Sequence, residues 1–563
     1  MSSVPDACDE LLASADRLLA ANEPRAAVTL YQRVLHDHPG HVGAWCRLGQ
    51  ALWSLGEHGL AQQTVEVALR VDPDALEALA RLGEMHRDRL DFAGERRCHA
   101  RMVAAIERRV GRGEPVTAAL AQTYASALVA VGAGEAALDV LRRLDEAVPA
   151  GNLWLLQIEA LERLGEYERM LALYRSQLER RRPLEARRGP IFLDSGWDFP
   201  SSLGDLGARI GTFALLQQEG VYPGRRGVVR AGGAIANPTY LDYWTHHVDV
   251  VRDAAATAGD VHDTNAVLLP DGTCRYVFHA FAALNARRIA AGRSPLLALR
   301  PDHVARGEEA LARLGLPPEK WFVALHVRHG GYKRDHTDHR KVHVNSDVMT
   351  YLPAIAAIVA RGGCVIRIGD PAMPPLPALD GVIDLATHPA KSDWLDVYCL
   401  ARCLFLLGTG SGPVQVAATF GVPVAVANLF PVTMTASSPV DIVWPKLLRR
   451  RDDGRLVPFA DLFQPPLLEQ SFADTLDRLG IDVVDNEPEE IVALVAEMFE
   501  RVRGTWRETT PDEALQARYK ALAPTPAVEQ VGRMCTAFLR KHAALLPPIP
   551  ARPTRQDLPG GAR

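Results

Sequence analysis

Two short stretches carry residue types whose spacing suits the capture of an anion. In LHVRHGGYK, His326 and Arg328 stand two positions apart at the end of an apolar run, and His329, Gly330, Gly331, Tyr332 and Lys333 follow as a loop. Alternate residues of a strand share a face, so the guanidinium can offer a bound diphosphate two parallel hydrogen bonds while the imidazole supports it. The competing reading is that Arg328 pairs with a nearby carboxylate. In LGTGSGPVQVAATFGVPV, an apolar run opens into Gly408, Thr409, Gly410, Ser411 and Gly412, with Pro413 at the first position of a helix. Backbone N–H groups at such a helix start form an anion site, and the proline removes only a donor that the helix would not use. The glycines do not follow G-x-G-x-x-G and no Lys-Ser/Thr closes the turn, so the Rossmann dinucleotide and P-loop readings both fail. Standing alone, such a turn is as readily an ordinary loop.

A third group is made of imidazoles. His326, His329, His336, His339 and His343 include three- and four-residue spacings that can gather a transition metal. Their surroundings are polar and loop-like, which favours solvated or phosphate-facing histidines. His246 and His247 read as a helix-face pair. A base that deprotonates a hydroxyl acceptor is sought among Asp205, His329 and Asp335. The eight cysteines are scattered without a C-x-x-C pair, and Cys399 and Cys403 lie in an apolar stretch, so buried thiols are expected rather than disulfides or zinc.

These residues need elements to hold them, and the chain divides into two kinds. Between Glu23 and Arg108, Leu35 and Leu69, Pro39 and Pro73, Trp45 and Leu79, and Gly49 and Gly83 are each separated by one fixed period of about 34 residues. The W-x-x-L-G pattern at Trp45, Leu48 and Gly49 and the closing prolines resemble tetratricopeptide repeats. Gly132 and Gly165 mark a divergent pair, so a helical head is expected over residues 1–182. Such hairpins bury their apolar stripes only by stacking, and the concave surface that results suits an extended peptide or a partner; a purely stabilising or oligomerising cap is the other reading.

After the basic linker ERRRPLEARRGP the pattern changes. IFLDS reads as a strand, SSLGDLG as a turn into the helix ARIGTFALLQQEG, and WFVALHV, CVIRIG, GVIDLA, CLFLLG and VPVAVAN as strands alternating with helices. Continuous apolar strands of this kind imply a doubly wound parallel sheet, whose ligands bind at the strands' carboxyl ends. The expected parts are a first lobe at 188–315, a second at 316–480, a helical segment at 481–546 and a disordered tail at 547–563.

Taken in order, VALHVRHGGYK, HVNSDVMTYLPAIAAIVARGGCVIRIGD, IDLATHPAKSDWLDVYCLARCLFLLGTGSGP, FGVPVAVAN and DIVWPK, with LGDLG and ANPTYLDYW upstream, resemble the body of bacterial glycosyltransferases that carry tetratricopeptide heads. The resemblance covers about Phe192 to Glu497. It implies a GT-B architecture, two facing Rossmann-like lobes with the donor nucleotide in the second. The H-x-R strand end is also similar to that of fucosyltransferases, where the arginine meets the donor diphosphate. By that resemblance Arg328 contacts phosphate with His326, Lys333, Thr409 and Gly410 beside it, Ser411 and Gly412 cap it, and Gly369 and Asp370 lie by the nucleoside. Gly204 and Asp205, expected on a first-lobe loop, become candidates for sugar or acceptor contact.

The expected activity is transfer of a sugar from a nucleoside-diphosphate donor to a hydroxyl of a protein or glycan, with the head recruiting the acceptor or a partner. A head that feeds polypeptide to the body would parallel O-linked N-acetylglucosaminyltransferases in layout alone. No metal or other cofactor is expected, because helix dipole and cationic side chains can neutralise the departing diphosphate, and no D-x-D ends a strand. The rivals are a non-catalytic tetratricopeptide scaffold with a degenerate body and a metal-dependent hydrolase. A net charge of -5 with 23% charged residues gives no broad attraction to nucleic acid, and no signal segment or uninterrupted run of about 18 apolar residues is evident. A cytoplasmic protein with no transmembrane segment is the expectation.

Overall fold

In a computed structural model, residues 7–147, 153–185, 191–194, 198–252, 260–263, 265–330, 342–525 and 528–548 are described. The chain separates into two compact units. The first takes in Met1–Leu164 together with Phe472–Asp477. Its helices are α1 (Ala7–Ala20), α2 (Pro24–Asp37), α3 (Val42–Ser54), α4 (His58–Val71), α5 (Leu76–Asp88), α6 (Phe92–Gly111), α7 (Ala118–Ala130), α8 (Gly134–Ala147) and α9 (Trp154–Leu164).

The starts of α2, α4 and α6, and those of α3 and α5, repeat the sequence period, and successive helices pack as hairpins. Tyr31, Val34, Leu48, Leu52, Val65, Leu79 and Met102 belong to one continuous core, which no single hairpin could bury. Gly49 explains the glycine of the repeat: a Cβ there would lie 2.5 Å from Val65 Cγ2 and 3.2 Å from the Ala61 carbonyl. Within this unit Arg163 forms a buried ion pair with Asp474 and lies 4.4 Å over the Phe472 ring, while Arg96 meets Asp477 at 2.9 Å.

The second unit starts at Gly165, so the border does not fall near Arg182. Helix α10 (Tyr167–Glu185) continues the repeat-like sequence but packs against strands of the body, which assigns it there. Strand β1 (Ile191–Asp194), α11 (Leu203–Gln218), β2 (Gly227–Arg230), α12 (Pro238–Tyr243), β3 (Val248–Val251) and β4 (Asp260–Asp263) build a parallel sheet in the order β3-β2-β1-β4. A hairpin of β5 (Ala266–Leu268) and β6 (Cys274–Tyr276) leads to α13 (Val277–Ala290), which packs on α11, and then α14 (Pro301–Arg313).

The main sheet uses β7 (Phe322–His326), α15 (Leu352–Ala360), β8 (Cys364–Arg367), β9 (Val382–Asp384), α16 (Asp393–Arg402), β10 (Leu406–Gly408), α17 (Gly412–Thr419), β11 (Val424–Leu429) and β12 (Ile442–Pro445). Chain then passes through β13 (Leu447–Arg450), α18 (Phe459–Leu462), α19 (Ala473–Arg478), β14 (Ile481–Val484), α20 (Pro488–Val502), α21 (Thr510–Lys520), β15 (Arg533–Met534) and α22 (Thr536–Lys541). Seven strands lie in the order β15-β12-β11-β10-β7-β8-β9, all parallel. Every residue of β7, β8, β10, β11 and β12 is buried, which is why they read as unbroken apolar runs.

The five strands expected around the site are all present. The segment 481–546 is not purely helical: β14 pairs antiparallel with β13, and β15 adds an edge strand beside β12. Of the expected tail, residues 549–563 lie outside the described residues. The helical run Val342–Ala360 is long and apolar enough to cross a membrane by length and composition alone. Asn345, Ser346 and Asp347 interrupt it in sequence, and α15 buries Ala354, Ile355 and Ile358 beside β8 and α20.

Candidate functional site

Strands β7 and β10 are neighbours with Gly408 opposite His326, so the two anion-suited stretches leave the same edge of the sheet side by side. Thr409 laces them together. Its N–H donates to the His326 carbonyl at 3.2 Å, and its Oγ1 accepts from the Arg328 amide at 3.1 Å. Gly408 is required by close approach, because a Cβ there would sit 2.9 Å from the His326 carbonyl oxygen. At Gly410 the obstacle would be Leu429 Cδ1, at 2.8 Å.

His326 is buried, and its Nδ1 lies 3.0 Å from Ser411 Oγ. Ser411 Oγ donates to the Thr409 carbonyl at 3.1 Å, so the imidazole serves as the donor through Nδ1–H. Burial, reinforced by the Arg328 and Arg367 cations, lowers the His326 pKa to about 4. The imidazole is therefore neutral near pH 7 and orients the serine rather than adding positive charge.

Ser411 stands at the N-cap of α17, yet its hydroxyl makes no cap bond to the helix. The first turn of α17 thus keeps amides without a side-chain cap. Helix α11 is alike: its N-cap residue, Ser202, gives its hydroxyl to Asp205 Oδ2 at 2.7 Å instead of capping the backbone. The two helix starts touch. A Cβ on Gly204 would lie 3.1 Å from Gly412 Cα, and one on Gly412 would lie 2.8 Å from the Gly204 nitrogen. Two positive helix ends in backbone contact favour negative charge beside them.

Gly204 and Asp205 therefore belong to the first turn of α11, a correction to the loop expected from SSLGDLG. Besides Ser202, the Asp205 carboxylate accepts from Arg209 Nε at 2.9 Å, and the Arg209 side chain is almost wholly buried. Asp205 holds the helix start together.

Arg328 donates through Nε to Asn345 Oδ1 at 3.2 Å, and its carbonyl accepts from the Ser346 amide at 3.1 Å. Asn345 in turn offers its carbonyl to Lys446 Nζ at 2.7 Å, and Lys446 pairs with Asp485 at 2.7 Å. Burial lowers the Lys446 pKa. Asn345 lay unremarked in HVNSD and Lys446 at the end of DIVWPK. Reading IVWP as a strand would have exposed Lys446 by the same strand-end rule that found Arg328.

Gly369 and Asp370 lie in the loop after β8. Gly369 has φ +152°, and a Cβ there would be 2.5 Å from Met373 Sδ, while Asp370 Oδ1 accepts from the Ala372 amide at 2.8 Å. Arg367, paired with Asp384 at 3.1 Å, binds the Pro374 carbonyl and pins this loop. His329 is exposed just past Arg328, whereas Lys333 and Asp335 lie outside the described residues. His336 and His339 do as well, and His343 is 6.2 Å from the Phe430 ring. No three metal-ligating side chains gather among the described residues.

The fold and this edge define a helical-repeat head followed by a body that carries a seven-stranded parallel sheet, an architecture compatible with an α/β domain. The N-terminal repeats are tetratricopeptide repeats, since the model of that family matches residues 12–75. No curated protein matches the chain. Similar solved structures include MamA 41-end from Desulfovibrio magneticus RS-1, 14% identical with 32% of this chain and 98% of that one covered at a TM-score of 0.24. A thermophilic TPR protein in Thermus thermophilus is 20% identical over 31% of this chain and 91% of its own, with a TM-score of 0.24. PilW, a type IV pilus biogenesis factor, is 15% identical over 39% and 90%, with a TM-score of 0.25.

Proposed function

We propose that the body binds a nucleoside-diphosphate-sugar and transfers the sugar to a hydroxyl acceptor, as a cytoplasmic enzyme of GT-B type. The observation that carries this reading is the contact of two helix starts lacking side-chain caps, at Gly204 and Gly412, on the sheet edge that also holds Arg328. A leaving diphosphate gains charge as the glycosidic bond breaks, and helix dipoles with a guanidinium stabilise that charge most where it develops. In this reading no metal is needed. The Ser411 hydroxyl, held between the neutral His326 imidazole and the Thr409 carbonyl, fixes the loop that opens α17. The base is drawn from His329 and Asp335, because Asp205 is committed to Arg209 and Ser202. The tetratricopeptide head recruits the acceptor, a protein or a glycan, or a partner.

A second reading, a tetratricopeptide scaffold whose body has lost turnover, is favoured by that commitment of Asp205. Incubation of the full chain with UDP-, GDP- and dTDP-sugars separates the two. An enzyme releases free sugar slowly to water, and Arg328→Ala weakens donor binding by about tenfold or more, the scale of a lost charge-assisted hydrogen bond. Absence of both binding and hydrolysis across the panel would defeat the transferase reading.

A further inference from the structure

We propose that Asn345 is the positioning residue for the Arg328 guanidinium, fixing it for a phosphate group of the ligand; this rests on the anion-binding reading of the site. The Nε–H of an arginine lies in the guanidinium plane, so a bond from Nε restricts rotation of the whole fork. In this chain the acceptor is Asn345 Oδ1, 3.2 Å away. Asn345 is itself held from several sides. Its backbone N–H donates to the Val342 carbonyl at 3.1 Å, its carbonyl accepts from Lys446 Nζ, and the next residue, Ser346, donates to the Arg328 carbonyl. Its Nδ2 sits 3.1 Å from where a Cβ on Gly330 would stand, so the absence of a side chain at Gly330 leaves room for the amide.

The chemistry of the partner matters as much as its place. An amide oxygen orients a guanidinium without cancelling its charge, whereas a carboxylate at the same spot would form an ion pair and compete with phosphate for the cation. Asparagine therefore gives order without adding a negative charge of its own. Lys446 is neutralised by Asp485 at 2.7 Å, so the link from Lys446 to the Asn345 carbonyl serves to hold the backbone in place.

The test uses the full chain and, as probes, inorganic pyrophosphate, the five common nucleoside diphosphates and the nucleosides alone, with affinities from calorimetry and folding from thermal midpoints. Asn345→Asp, nearly the same shape, is expected to weaken pyrophosphate and the preferred diphosphate by at least tenfold and to leave the matching nucleoside within twofold. Asn345→Ala, which removes the acceptor without adding charge, should lose two- to fivefold; it decides the matter should the aspartate variant not fold. Combined with Arg328→Ala, Asn345→Asp should add nothing further, because one residue acts through the other. Equal affinity in the wild type and both Asn345 variants overturns the assignment and leaves the site reading standing. So does a loss that affects nucleoside and diphosphate alike, or one that adds to that of Arg328→Ala. If the wild type binds none of the phosphates, the site reading falls and this assignment with it.

Discussion

Gly204 and Gly412 touch backbone to backbone, each at the first turn of a helix; a methyl group would be tight at Gly204 and has no room at Gly412. The contact joins α11 to α17 and thereby brings the β1–β4 sheet's first helix to the edge of the seven-stranded sheet. Glycine is needed here for proximity rather than for backbone angle, since neither residue is among those with positive φ.

A methyl on Gly412 would stand 2.8 Å from the Gly204 nitrogen and 2.9 Å from Leu203 Cβ, so both obstacles are main-chain or next to it and cannot swing aside. Gly412→Ala is expected to cost about 1–3 kcal/mol of stability, the usual range for overpacking. It should also weaken pyrophosphate binding, because the helix starts must part. A variant as stable as the wild type with unchanged affinity would show that the contact does not shape the site.

His326 gives a pH dependence with a definite sign. Its folded pKa of about 4 lies below the ordinary histidine value, so the unfolded chain binds the extra proton first as pH falls. The contribution is complete above about pH 6.5 and is lost on acidification toward about pH 4, at roughly 1.4 kcal/mol for each pH unit of that window. Denaturant titrations between pH 4 and 7 should show this slope in the wild type and a flatter one in His326→Gln.

The strands of the site were legible because burial on both faces leaves continuous apolar runs, as in β7 and β11. The pair β13 and β14 was hidden: LLRR and IDVV carry exposed charge and their partners are distant in sequence. The start of α11 was missed for a tertiary reason, since its glycines look like a turn until Gly412 is seen beside them. In α10, LGEYERMLALYRSQLE keeps the repeat's amphipathic pattern, and only its packing on β5 and β6 assigns it to the body. Asn345 was invisible because an asparagine in a polar stretch carries no periodic signal.

Gly49 allows a test confined to the repeats. Its missing Cβ is replaced by Val65 Cγ2 and the Ala61 carbonyl, the contact that lets α3 and α4 approach. Gly49→Ala should destabilise the hairpin by about 1–3 kcal/mol and speed amide hydrogen exchange in both helices. Exchange in β7 and β10 should be unchanged, and equal acceleration there would mean that the two units unfold as one.

Asp441 reverses the sign found at His326. It is fully buried just before β12, and its Oδ1 accepts from the Val424 amide at 2.9 Å. Burial raises its pKa to about 8. The unfolded carboxyl ionises near pH 4 while the folded one keeps its proton, so stability is complete below about pH 4 and declines as pH rises toward 8. Asp441→Asn preserves the acceptor for Val424 and cannot ionise. Its thermal midpoint should exceed that of the wild type at pH 8, and the gap should shrink as the two are compared at pH 7, 6 and 5. A gap that is constant across this range would place the carboxyl's titration elsewhere.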